Sequence, residues 1–423
     1  MSQYVIPTLP NPFNVRMALP GSKSIALRQL AIAALCQGKT RIKGLPPCDD
    51  IDAMLDCLSK LGVAIDGDYA EMTVSGPMNF HGDIKLDARM SGASTRLLIG
   101  LASLRHGRTT IDGHPSLRVR TNTPLFDVLR THGCRVDSND GTLPAVIHGN
   151  LNAPDTIQID GSLSSQYITA LMVIAPLSGS DSLRIEITGE LVSRPYLNIT
   201  ANEMKKRGCP VTWANPTTLL IHAGQYSGGE ITVEGDATAA TYFAGLATLH
   251  NSHIEVSNLG NASEQGDYEF FSIMEALGAK VTRSTTQTKI QGPKTLSALP
   301  EIDMTAMPDA ALTLLAMGPL LAGGIKITGL SSLHHKECDR LECPAREFAA
   351  LGVDCETTYE SISFQPHRGE LKDHILNTYH DHRMAMAFSL FASCTQPLPI
   401  DDKAVVAKTF PNYWDTYSSL QQG

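Results

Sequence analysis

Five polar side chains follow helix-capping residues in a way that capping alone does not explain. Lys23 and Arg28 follow Ser22, Arg96 follows Ser91-Gly92-Ala93-Ser94-Thr95, Gln166 follows Ser164-Ser165, and Arg383 follows His380-Asp381-His382. In each case hydroxyl residues, Gly or Asp lead into an apolar run, the pattern of a helix start. A helix start carries partial positive charge, so a cation there is unfavourable unless an anion lies between the two. An exposed helix terminus contributes only about 0.3–1 kcal/mol to a bound anion, whereas a hydrogen bond to a charged group contributes about 1.5–3 kcal/mol. Helix ends alone would hold a phosphate loosely. Ends reinforced by Lys and Arg would hold a doubly anionic ligand, so the chemistry predicted is recognition of phosphate and carboxylate groups.

The elements that carry these residues repeat. Six β-branched strand ends, Ile42-Lys43-Gly44, Ile111-Asp112-Gly113, Ile187-Thr188-Gly189, Val256-Ser257-Asn258, Ile327-Thr328-Gly329 and Ile400-Asp401-Asp402, recur 69 to 76 residues apart. In phase with them, five helices run into Gly before a new strand, at Gly62, Gly133, Gly208, Gly278 and Gly352. Gly there suits the left-handed position past a helix C-terminus. Within a copy, one helix is amphipathic, as in Ile51, Met54, Leu55, Leu58 and Leu61 with Asp49 or Asp50 as cap, or Phe270, Ile273, Met274 and Leu277. The other is apolar nearly all round, as in residues 166–174 and 309–317, which predicts a buried helix. Six copies predict two pseudo-symmetric domains of three repeats, each with three buried helices surrounded by strands and outer helices, and a cleft between them lined by helix N-termini and basic residues.

Bulk properties agree with a two-domain globular chain. The 423 residues are 42% hydrophobic and 18% charged, with a formal net charge of −9. That acidity opposes a nucleic-acid partner and leaves room for a small anion held by a few focused cations. No apolar run is long enough to span a membrane, and no signal peptide is expected. The nine cysteines lack Cys-x-x-Cys spacing. Most, such as Cys36, Cys57 and Cys394, lie in apolar helical runs and are expected to be core residues, so a reducing, cytoplasmic setting without structural disulfides is predicted. Gly21-Ser22-Lys23-Ser24 lacks the Gly spacing of a P-loop. The His334-His335 and His380-Asp381-His382 pairs have no third ligand set, so no metal is expected.

Seven stretches, in order along nearly the whole chain, resemble the 5-enolpyruvylshikimate-3-phosphate synthase family. They are Leu19-Pro20-Gly21-Ser22-Lys23-Ser24 with Arg28, Asp160 to Gln166, Leu191 to Tyr196, Glu234-Gly235-Asp236, Lys336-Glu337-Cys338-Asp339-Arg340, Asp381 to Met386, and Ala407-Lys408-Thr409-Phe410-Pro411. The resemblance implies an α/β fold, the two-domain inside-out α/β barrel, with three β/α repeats per domain around buried parallel helices. It places an N-terminal domain at 22–233, mainly on the shikimate 3-phosphate side. A C-terminal domain is made of 1–21 plus 234–423, with much of the phosphoenolpyruvate side.

The implied reaction moves the enolpyruvyl group of phosphoenolpyruvate to the 5-hydroxyl of shikimate 3-phosphate through a tetrahedral intermediate. It uses no cofactor, and these small anions are the only partners expected of a monomer. By motif match Asp309 and Glu337 carry protons, with Lys23 as their ammonium partner. Phosphoenolpyruvate falls to Lys23, Gly92, Arg120, Gln166, Arg340, Arg383 and Lys408. Shikimate 3-phosphate falls to Ser24, Arg28, Ser164, Ser165, Ser193, Tyr196, Asp309, Ser332 and Lys336. Asp309 also follows Pro308 at a helix start, where it could cap.

The chain departs from the family mainly in its second copy. Met90 stands where the family has Asn and Ala93 where it has Thr, while Thr121 follows Arg120 in place of Pro. Ser332 occupies the position of a common substrate-contacting Asn. Neither Met90 nor Ala93 can make the hydrogen bonds of the residue replaced. These changes bear on rate and acceptor choice, and the alternative they leave is a non-catalytic or altered-acceptor member. The sister transfer to UDP-N-acetylglucosamine typically uses a loop Cys, and residues 113–120 contain none.

Overall fold

The computed structural model describes residues 3–10, 12–152 and 154–422. The chain divides into two compact units, one of Gly21–Val233 and one of Met1–Pro20 with Glu234–Gly423, and each buries its own hydrophobic core.

The unit Gly21–Val233 contains three four-stranded sheets of one design. In the second sheet, Ile84–Asp87 pairs in parallel with Gly107–Asp112, and Gly107–Asp112 pairs antiparallel with Thr142–Gly149, which carries Arg135–Asn139 at the edge. The third repeats this order with Thr156–Asp160, Ser182–Thr188, Thr218–His222 and Val211–Asn215. The first has Gln37–Lys43 in the second place, with Ser227–Thr232 from the far end of the unit as its parallel neighbour. A parallel pair needs a crossover. In the second and third sheets that crossover includes an inner helix, Gly92–Ser103 or Ser165–Ile174, and Lys23–Ala33 holds the corresponding place before Gln37–Lys43.

The other unit has two such sheets, built on Asn14–Met17 with His253–Val256 and on Glu301–Asp303 with Ile325–Thr328. Its third is reduced to Tyr4–Ile6 paired antiparallel with Leu398–Ile400, plus a parallel bridge from Leu376 to Ile400. The N-terminal segment thus supplies strands to two different sheets of this unit. All six strand ends read from the sequence fall on or just after the strand that follows an inner helix.

The inner helices are buried as their lack of a polar face requires. Every residue of Ala237–Leu249 but the last is buried, as is every residue of His382–Cys394 but the last. Cys36 and Cys57 are buried, but Cys394 is exposed, because it ends its helix where the chain turns outward. The five helix-end glycines all adopt positive φ, between 84° and 101°. Two capping expectations change. Helix Asp49–Lys60 is capped by Cys48, so Asp49 and Asp50 lie inside its first turn, where negative charge is favoured by the helix dipole. Helix Ala311–Met317 is capped by Ala310, one residue beyond Asp309. No described helix is long and apolar enough to cross a membrane.

Gly352 sits at φ 87° with only the flexible side chain of Lys372 within ordinary contact, so its substitution isolates the backbone effect. Gly352→Ala is expected to lower stability by about 1–2 kcal/mol, read as a lower urea midpoint. Gly323→Ala, with negative φ and only Ala298 Cβ in ordinary contact at 3.9 Å, should change it little.

Candidate active site

The charged residues of the unit Met1–Pro20 with Glu234–Gly423 converge on Arg340. Its guanidinium is 1% exposed, and a buried charge must be paired. Nε lies 2.7 Å from Asp381 Oδ2 and Nη2 lies 3.1 Å from Asp381 Oδ1. Nη1 donates to Asp309 Oδ1 at 3.0 Å, and Nη2 donates to Glu337 Oε2 at 2.8 Å. Three further cations close the network. Arg383 Nη2 reaches Asp309 Oδ2 at 3.0 Å, Lys336 Nζ reaches Asp309 Oδ1 at 3.3 Å, and Lys408 Nζ reaches Glu337 Oε1 at 2.8 Å. Four cations thus face three carboxylates, and the i,i+3 pairing of Glu337 with Arg340 is one strand of that network.

Helix starts position these groups. Asp381 caps His382–Cys394 by accepting from the Arg383 amide at 2.9 Å, so one carboxylate both begins the helix and grips Arg340. Arg383 Nη1 also lies 3.5 Å from Tyr242 Oη on Ala237–Leu249, and Thr241 meets Thr313 at 2.7 Å. The starts of this unit's three inner helices therefore lie together. Burial opposes ionisation of Asp309, but Arg383, Lys336 and Arg340 outweigh it and hold the carboxyl well below the ordinary range. Burial likewise opposes the charge on Arg340, and Asp381, Glu337 and Asp309 outweigh it, moving its pKa up.

In the unit Gly21–Val233, Lys23 opens its helix with Nζ 2.8 Å from Asp50 Oδ2. Asp50 is 2% exposed and its other oxygen has no hydrogen-bond partner. A Cβ on Gly92 would meet Arg120 Nη1 at 2.5 Å and Arg96 Nη1 at 2.9 Å, so two guanidiniums crowd one helix start and a side chain there would push them aside. Arg96 donates to the carbonyls of Gly92 and Thr121, each at 3.0 Å, and lies over the Tyr167 ring. Tyr167 Oη donates to the same Thr121 carbonyl at 2.8 Å. Arg28 reaches Thr169 on the neighbouring inner helix, so the starts of this unit's inner helices also lie together. Ser164 caps Ser165–Ile174 by accepting from the Gln166 amide at 3.3 Å, and Gln166 Oε1 is buried with no partner.

Arg28 sits inward. Four of its five N–H groups go to Thr200 Oγ1, the Ser24 and Tyr196 carbonyls and Thr169 Oγ1, and burial lowers its pKa to about 10. Ser193 caps Arg194–Lys206 from the left-handed region at φ 56°, and Tyr196 follows in the first turn. Ser332 lies half-buried in the short turn Ser331–His335 that leads to Lys336. Met90 and Ala93 are half-buried, with Ala93 packed on the core.

Three carboxylates here were not singled out by sequence. Asp50 read as a helix cap, and Asp381 lay inside a matched motif without a role of its own. Asp267, in the fourth copy, gave no signal. It is 5% exposed, accepts from Thr238 Oγ1 through Oδ2, and leaves Oδ1 without a partner. Burial and then Asp309 push its pKa up to about 7, against Thr238 and Arg383.

The model of the family described as EPSP synthase (3-phosphoshikimate 1-carboxyvinyltransferase) matches residues 7–417. The chain is 35% identical over 413 residues to a 3-phosphoshikimate 1-carboxyvinyltransferase of Tolumonas auensis, covering 96% of each. It is 36% identical over 418 residues to one of Ralstonia pickettii, covering 95% of this chain and 96% of that one. An EPSP synthase structure from Acinetobacter baumannii superposes with a TM-score of 0.78 at 22% identity, covering 100% of this chain and 98% of that one. That likeness gives the fold, a two-domain inside-out α/β arrangement. Among the described residues, separate sheets accompany the inner helices, with no closed barrel.

The folded state binds the Asp267 proton more tightly than the unfolded chain, whose value is the ordinary 3.8. The stability this contributes is full below about pH 4 and is lost as pH rises through about 7. Asp267→Asn removes that loss, so its gain over the parent should grow from about pH 4 to about pH 7 and reach roughly 4 kcal/mol. Parallel stability–pH curves for the two proteins would show that Asp267 does not titrate in that window.

Proposed function

The chain belongs to the EPSP synthase family of 3-phosphoshikimate 1-carboxyvinyltransferases, and we propose that the charged residues of its two units divide that reaction between them. The reaction transfers the enolpyruvyl group of phosphoenolpyruvate to the 5-hydroxyl of shikimate 3-phosphate and releases phosphate, a step of the shikimate pathway to aromatic amino acids. Addition of the alcohol to C2 of the enol phosphate needs a base for the hydroxyl proton and an acid for the methylene carbon. Elimination then reverses the carbon protonation as phosphate leaves.

The observation that carries the assignment is the network joining Asp309, Lys336, Glu337, Arg340, Arg383 and Lys408. We assign Asp309 and Glu337 to proton transfer and Arg340, Arg383 and Lys408 to the phosphate and carboxylate of phosphoenolpyruvate. Guanidinium forks match both groups bidentately. The cations that would bind the substrate are those now paired with the two carboxylates. Substrate anions drawing on Arg383, Lys336 and Arg340 would loosen their hold on Asp309 and raise its affinity for a proton. Substrate binding and proton transfer are thereby linked.

In the unit Gly21–Val233, Lys23, Gly92, Arg120 and Gln166 are assigned to phosphoenolpyruvate. Ser24, Ser164, Ser165, Ser193 and Tyr196 are assigned to shikimate 3-phosphate, as are Asp309, Ser332 and Lys336. Arg28 has one N–H left for a ligand, so its main part is to hold Ser24 and Tyr196 in place through their carbonyls. The unit Gly21–Val233 is thus assigned mainly the acceptor and the other unit much of the donor, with a monomer as the working form.

Mixing the protein with both substrates should release phosphate. No release above background at millimolar substrate would remove the catalytic reading, and binding without turnover would favour a non-catalytic member. Lys23→Ala and Glu337→Ala should each lower turnover by about 100-fold or more. Gly92→Ala should raise KM for phosphoenolpyruvate, because its Cβ displaces Arg120. Near-parent values would withdraw the residue concerned from its role.

A further inference from the structure

The turn before helix His382–Cys394 holds two consecutive non-glycine residues in the left-handed region, Tyr379 at φ 52° and His380 at φ 57°. Such conformations persist in L residues only where the surroundings over-determine them. Directly after them comes Asp381, which grips Arg340 and caps the Arg383 amide. A backbone that relaxed here would move both groups.

One buried carboxylate accounts for much of the hold. Glu347, 3% exposed, lies on helix Glu342–Leu351, the helix that begins two residues after Arg340. Its Oε1 accepts from Tyr379 Oη at 2.6 Å. Its Oε2 accepts from the Asn377 amide at 3.0 Å and lies 2.7 Å from His374 Nε2. Asn377 Oδ1 in turn accepts from the Tyr379 amide at 2.7 Å. On the other side Asp401, at the end of strand Leu398–Ile400, accepts from the amide and hydroxyl of Thr378 at 2.9 and 2.8 Å. The Thr378 carbonyl accepts from the Asp381 amide at 2.8 Å. The Tyr379, Asn377 and His374 partners of Glu347 lie in the segment that leads into the turn, so this carboxylate serves the turn.

We propose that Glu347 is a positioning residue, which through the Tyr379 hydroxyl holds the left-handed Tyr379-His380 turn and so sets Asp381, Arg340 and Arg383 for the reaction. The proposal rests on the roles assigned above to Arg340 and Arg383. The strained turn is a lever: it directs Asp381 at Arg340, and Glu347 keeps it from relaxing. The carboxylate also ties two helices together, because it lies on Glu342–Leu351 and holds the turn leading into His382–Cys394.

Tyr379→Phe removes only the hydroxyl that Glu347 accepts from. It should lower kcat/KM for phosphoenolpyruvate by roughly 10- to 100-fold, the scale of a small misplacement of catalytic groups, with little change in melting temperature. Hydrogen exchange over residues 377–386 should quicken in the same variant. In Tyr379→Phe/His380→Gly the second change makes the left-handed conformation easy, so it should recover much of the lost activity. Glu347→Gln, which has an acceptor for only one of the two groups that Glu347 accepts from, should be at least as impaired as Tyr379→Phe. A Tyr379→Phe variant within about two-fold of the parent, with parent exchange rates, overturns the proposal. So does a loss of activity that only follows a lowered melting temperature and is not rescued by Gly at 380. If the parent itself releases no phosphate, the functional reading fails, and the exchange rates alone decide whether Glu347 holds the turn.

Discussion

A guanidinium buried at 1% exposure is tolerable only with its donors satisfied, and Arg340 meets that demand with carboxylates from three separated stretches of chain. Asp309 comes from the turn before one inner helix, Asp381 caps another, and Glu337 lies one turn upstream of Arg340 itself. Removing one partner of a buried pair costs about 3–5 kcal/mol, so each stretch is held where the guanidinium needs it. Arg383, Lys336 and Lys408 then attach to carboxylates that Arg340 has already placed. The cluster's order follows from desolvation of one charge more than from any single ion pair.

The same logic explains cations at helix starts. Lys23 opens its helix and Arg383 lies in the first turn of its own, positions that the helix dipole disfavours. Each is offset by a nearby carboxylate, Asp50 for Lys23 and Asp309 for Arg383. Without substrate the protein supplies the negative charge itself. Six times the fold sends an apolar helix through the interior, five times beside a parallel strand pair, and within each unit the three helix starts come together. Repetition of one β/α unit therefore concentrates helix N-termini without any residue being placed there for that purpose alone.

Much of this was legible in residue order. Strand ends at Gly44, Gly189 and Gly329, and helix ends at Gly62, Gly133, Gly208, Gly278 and Gly352, are local signals, because left-handed backbone is a property of a few adjacent residues. The fully apolar inner helices were legible for the same reason. Capping was less so. Asp49 and Asp50 are good N-caps by type, yet Cys48 takes the position, and Asp309 is drawn to three cations with Ala310 as the cap. Competition from a distant charge overrides a local preference. Arg28 matched a substrate-binding motif, while its donors face Thr169, Thr200 and two carbonyls.

By itself the sequence determined the six-fold repeat, the burial of the inner helices and the family, because periodicity, turn glycines and motif order need only neighbouring residues. Tertiary structure alone decided which carboxylate answers which cation. Asp50, Asp267, Asp381 and Glu347 owe their importance to burial and to partners far along the chain. Tyr379 and Glu347 are 32 residues apart and meet through one hydrogen bond, and nothing in the spelling of either segment announces it. Charge is local in sequence, but its desolvation and its neighbours are properties of the folded chain.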